Sequence, residues 1–96
     1  MTIPTKFECM GSTINIDLIT DIDERSVGRY IPQKLLILVD SKQPKQLQEQ
    51  TFWHEFMHCA LDHLGYSELD SNEQFVEQMA QCLYQLQKTR VDRKKK

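Results

Sequence analysis

Two histidines four residues apart, His54 and His58, stand with a glutamate directly after the first, in the run His54-Glu55-Phe56-Met57-His58. On a helix, residues four apart share a face, so both imidazoles can reach one cation. Zinc suits such nitrogens: it takes its ligands in a tetrahedron and, in a reactive centre, leaves one position for water. Glu55 lies one helical step from the first histidine, placed to take a proton from that water without binding the ion. The surroundings predict the helix. Over residues 51–64, Phe52, Phe56, Cys59, Ala60 and Leu64 keep roughly helical spacing, proline is absent, and Gly65 follows where a helix C-terminus favours glycine.

At 96 residues the chain has room for one small core, and a bound metal would help it hold together. Residues 1–90 are expected to form a single domain, and the basic run over 91–96 a disordered tail. A hydrophobic fraction of 40%, a charged fraction of 27% and a net charge of −2 describe an ordinary globular mixture without the basic field that nucleic acid requires, so no nucleic-acid partner is expected. Three widely spaced cysteines, Cys9, Cys59 and Cys82, without a C-x-x-C pair, point to a reducing compartment. Cys59 and Cys82 occupy apolar-periodic positions and read as small buried hydrophobes. With no apolar leader segment and no run long enough to span a bilayer, the expected location is cytoplasmic, with no membrane contact.

The element pattern predicts an α+β fold: a short three-stranded antiparallel sheet, then the His54–His58 helix, then a second helix. Strands are expected at about 6–9 and 13–18, turned at Met10-Gly11-Ser12, and at 35–39. In the second strand Ile14, Ile16 and Leu18 alternate with polar residues, which predicts one buried face. Residues 20–29 are polar and read as a loop. The first helix is expected from Pro44 or Lys45 to Leu64. The second starts near Asp70-Ser71, with Ser71 and Gln74 at capping-box spacing, and runs to about Lys88 over an apolar stripe of Val76, Met79, Ala80, Leu83 and Leu86 or Gln87.

A third ligand has to come from elsewhere. His63 is rotated away from the His54/His58 face and reads as a helix-end residue, while the metzincin pattern would need glycine and histidine where this chain has Leu61 and Leu64. Glu73 and Glu77, one turn apart on the second helix, can face back across the hairpin, and spacing alone allows either to bind the metal. In this respect the chain resembles the gluzincin metallopeptidases, and Asn72-Glu73-Gln74-Phe75-Val76-Glu77 is similar to their N-E-x-x-x-D pattern. The resemblance implies Glu73 as third zinc ligand and Glu77 as the carboxylate that orients a ligating histidine; Glu77-Gln78-Met79-Ala80 also fits a rival E-x-x-A register in which Glu77 binds. More narrowly, 54–61 followed by 73–83 is similar to the small ImmA/IrrE-type peptidases of phages and mobile elements and to the minigluzincins. Val76 and Glu77 replace the Ala-Asn usual there.

What the resemblance implies is a zinc-dependent endopeptidase acting on a peptide or protein substrate, with zinc on His54, His58 and Glu73 and with Glu55 as the proton carrier. It further implies a sheet edge, expected at 35–39, that pairs with an extended peptide. Tyr66, His63 and Tyr84 are candidates for steadying the oxyanion. Two alternatives stand beside this reading. One is a metal-stabilised interaction module without catalysis. The other is an endoribonuclease of the YbeY type, which the run from His58 to Tyr66 faintly resembles, although there the glycine precedes the last histidine and here Gly65 follows His63.

Overall fold

The computed structural model describes residues 2–23 and 25–94. It is α+β, with four strands, β1 (Lys6–Cys9), β2 (Ser12–Ile19), β3 (Gly28–Ile31) and β4 (Leu36–Asp40), then three helices, α1 (Lys45–Leu64), α2 (Ser67–Asp70) and α3 (Glu73–Thr89). Residues 91–94 carry no regular secondary structure, and the rest of the expected tail, Lys95 and Lys96, lies outside the described residues.

The sheet corrects the three-stranded antiparallel expectation. It has four strands in the order β1-β2-β4-β3, antiparallel at both ends but parallel between β2 and β4. A parallel pair needs a long crossover. Residues 20–35 provide it, and in doing so they contribute β3, which pairs back onto β4 with Tyr30 opposite Ile37 and Gly28 opposite Val39. Strand β4 is therefore interior, and the free edges belong to β1 and β3.

The β1–β2 hairpin closes through Met10 and Gly11, both at positive φ (48° and 87°). Two consecutive left-handed residues give the turn whose twist matches the flanking strands. One sheet face is covered by α1: Ile14, Ile16, Ile37 and Val39 pack with Phe52 and Cys59, while Phe7, Cys9 and Tyr30 close the margins. Leu18 departs from the expected alternation and is 51% exposed, at a cleft it shares with Ile3 and with Lys45, Gln48 and Glu49 of the first turns of α1. The next side of α1 meets α3 through Met57, Leu61, Val76 and Ala80, with Trp53, Phe56, Phe75 and Leu83 around them. Helix α1 thus has two buried faces, and the sequence between them leaves the histidines at the rim.

Helix α1 stops at Gly65, whose φ of 81° lets the Tyr66 N–H reach back to the Leu61 carbonyl at 2.9 Å. The cap of α3 is Asn72, not the expected Ser71: the Asn72 side chain accepts from the Phe75 N–H at 3.1 Å, whereas the Ser71 hydroxyl is turned back to the Ser67 and Glu68 carbonyls. In the α3 stripe Val76, Ala80 and Tyr84 are buried, while Met79 and Leu86 are exposed. Cys82, expected inside, is exposed as well.

Candidate metal centre

The spacing that places His54 and His58 on one face of α1 brings their ring centroids to 5.1 Å. Across the hairpin the first turn of α3 delivers Glu73. One of its oxygens lies 3.3 Å from His54 Nε2 and the other 3.2 Å from His58 Nε2. These three side chains, from helices tied by the Met57–Val76 core, could hold a metal ion.

The far side of each imidazole is also engaged. His54 Nδ1 lies 2.8 Å from Glu77 Oε2, and His58 Nδ1 lies 2.7 Å from Asp70 Oδ1. An ionised carboxylate only accepts, so each Nδ1 donates to its acid; a metal ion held between the rings and Glu73 would then be met by the Nε2 lone pairs. Glu77 is steadied by the Gln81 side chain, whose Nε2 donates to its second oxygen at 2.8 Å. The Gln81 and His54 bonds together hold the Glu77 carboxyl below its ordinary range despite some burial. Geometry thus separates the two glutamates that sequence spacing left equivalent: Glu73 meets both Nε2 atoms, Glu77 only one Nδ1.

Glu55 is a buried carboxylate beside this cluster. Burial pushes its carboxyl above the ordinary range, and the nearby Glu73 charge adds to that; His54, His58 and the Tyr30 backbone amide pull the other way. Two clefts, of about 560 and 330 Å³, meet at Glu55 and Gly28. The larger reaches His54, Glu73 and Glu77, and the smaller reaches His58 and Asp70. Their other wall is β3 and the segment before it. Gly28 makes this approach possible, because a Cβ there would run into the Thr51 methyl and stand 3.1 Å from Glu55 Cγ.

Sequence reasoning missed Asp70 and Gly28. Asp70 sits at the end of the short α2 and Gly28 in a strand read as loop, so neither has a local pattern that marks it. The three expected oxyanion candidates lie outside both clefts: Tyr66 is exposed on the α1–α2 connection, Tyr84 is buried under α3, and His63 faces Cys59 and Tyr30. His63 and Cys59 belong, with Cys9, to a second group that could hold a metal ion. No helix among the described residues is long and apolar enough to cross a membrane.

Comparison with protein-family models, with curated proteins and with solved structures finds no match for the chain.

Proposed function

We propose that this chain is a zinc-dependent endopeptidase of the gluzincin kind, small and ImmA/IrrE-like, with His54, His58 and Glu73 as the metal ligands and Glu55 as the catalytic base. The observation that carries the reading is the convergence of two Nε2 atoms and one carboxylate, with each Nδ1 backed by a further acid, Glu77 or Asp70. An ordinary surface salt-bridge cluster has no reason to back both Nδ1 atoms with acids while both Nε2 atoms face the same carboxylate. A ligating histidine does, since its other nitrogen is commonly held by a carboxylate.

Zinc at this donor set would supply the Lewis acidity that polarises a peptide carbonyl and makes water acidic near neutral pH. The protein's own residues carry the remaining work. Glu55, lifted by burial, has the affinity to take a proton from the attacking water and the position to hand it to the departing amine. Glu77 and Asp70 hold the imidazoles so that no reorientation is needed during the reaction. The free edge beside the cleft belongs to β3, so an extended peptide lying along that strand would run past Glu55 toward His54 and His58.

The test is Glu55→Gln on the zinc-loaded protein, with peptide libraries and regulatory proteins encoded beside it as substrates. The expected outcome is unchanged zinc content with hydrolysis lost. Equal cleavage by parent and variant would reject the assigned base; tight partner binding with no cleavage by the parent would replace the peptidase by an interaction module.

A further inference from the structure

The second cluster is built from two layers of the fold and lies apart from the His54/His58 centre. Cys59 and His63 are four apart on α1 and share the face turned toward the sheet, while Cys9, the last residue of β1, meets them from below. One donor atom from each of the three lies within 4.8 Å of the other two. Cys59 Sγ stands 3.7 Å from His63 Nδ1. Sulfur at about 2.3 Å and nitrogen at about 2.0 Å from a shared tetrahedral zinc are themselves roughly 3.5 Å apart. That pair therefore already has the separation that a shared ion would set, and Cys9 needs at most a shift of about an ångström on the same geometry.

The everyday use of these groups is also visible. His63 Nδ1 lies 2.9 Å from the Cys59 carbonyl, to which a protonated Nδ1 would donate. Ligation would exchange that bond for one to the metal without orphaning the carbonyl, which keeps its helical partner, the His63 backbone N–H. Beside the fully buried Cys59 thiol the fold thus brings a second sulfur and an imidazole to within 4.8 Å of one another. Two sulfurs and one nitrogen form a softer set than the two nitrogens and carboxylate of the first centre, and they select thiophilic ions.

We propose that Cys9, Cys59 and His63 form a second metal site, specific for a thiophilic d10 cation of the zinc class, which clamps the end of edge strand β1 to α1. Binding releases the two thiol protons to solvent, and the fourth tetrahedral position falls to water. The Tyr30 hydroxyl closes one side of the site, 3.5 Å from His63 Nδ1 and 3.2 Å from Asp62 Oδ2. This proposal is independent of the peptidase reading, because it uses none of that centre's residues.

Cobalt(II) titration of the full-length chain, stripped with chelator and kept reduced, tests it. The exposed Cys82 is first changed to serine so that it cannot contribute sulfur. The expected result is a sulfur-to-cobalt charge-transfer band in the near ultraviolet that zinc displaces. The band should vanish in both Cys9→Ser and His63→Gln, each checked for folding by circular dichroism, while the nitrogen-ligated cobalt of the first centre persists. Two variants keep the test decisive if one misfolds. No sulfur band in the parent, a band that survives both substitutions, or a Cys9–Cys59 disulfide in protein prepared without oxidant would overturn the proposal.

Discussion

Gly28→Ala puts the smallest side chain where β3 passes the candidate base. The glycine is not needed for a left-handed backbone; it is needed for space. The added Cβ would collide with Thr51 Cγ2 and stand 3.1 Å from Cγ and 3.2 Å from Oε2 of Glu55. Thr51 cannot give way cheaply: it is 8% exposed, β-branched in a helix and bonded through its hydroxyl to Gln43 Oε1 at 3.2 Å. Overpacking of this kind costs about 1–3 kcal/mol. Against it stands the entropy saved by removing a glycine from a strand, about 0.5–1 kcal/mol. The two ranges leave a net loss of up to about 2.5 kcal/mol, centred a little above 1 kcal/mol, which for a domain of this size lowers Tm by roughly 5–10 °C. Urea and thermal denaturation of chelated protein should show that loss. Thr51→Ser, which deletes the methyl and keeps the hydroxyl, should restore most of it in the double variant, and the cycle should give a coupling energy of at least about 0.5 kcal/mol. A Gly28→Ala protein as stable as the parent, or a deficit that Thr51→Ser leaves untouched, would refute the packing argument.

Other consequences are as direct. In protein carrying Cys9→Ser, so that only the His54/His58 centre is read, Asp70→Ala and Glu77→Ala should each weaken zinc binding about 10–100-fold in competitive chelator titrations, while Glu73→Ala should abolish it; equal losses in all three would erase the distinction between ligand and orienting acid. Since burial lifts the Glu55 carboxyl above its unfolded value, its contribution to stability is complete below the ordinary carboxylate range and is lost as pH rises through the lifted value. Chelated Glu55→Gln should therefore be more stable than the parent at neutral pH, with the gap closing in acid, and parallel pH–stability curves would contradict this. The Tyr84 hydroxyl is buried without a hydrogen-bond partner among the described residues, so Tyr84→Phe should be neutral or stabilising, by up to about 1 kcal/mol. A clear drop in Tm would show that the hydroxyl is satisfied after all.

What could be read from the sequence was what local periodicity encodes. The helix through His54 and His58 ends at Gly65 as its capping glycine announces, and β1, β2 and β4 fall within two residues of their expected bounds. Strand β3 was missed because Gly28-Arg29-Tyr30-Ile31 is too short to alternate and follows a polar stretch, so only pairing with β4 makes it a strand. The parallel β2–β4 pair escaped for the same reason, since strand order is decided by which faces α1 can cover. Leu18 and Cys82 have the right period but are exposed, Leu18 at a cleft beside the polar first turns of α1 and Cys82 on the outer side of α3. Spacing put Glu73 and Glu77 on one side of α3 but could not say which meets Nε2; that depends on how far α3 is advanced along α1, which the α2 turn sets. The same turn presents Asp70 to His58, a contact twelve residues long in sequence and unmarked by any motif.

The most direct measurement of the central claim is a crystal structure of the protein grown with zinc in excess over both candidate sites, with anomalous data collected on both sides of the zinc edge. The account predicts a peak bonded to His54 Nε2, His58 Nε2 and a Glu73 oxygen, with Glu77 and Asp70 still on the Nδ1 atoms and Glu55 close by but unbonded. A peak held by Glu77 in place of Glu73, or no zinc between the two histidines, would contradict it.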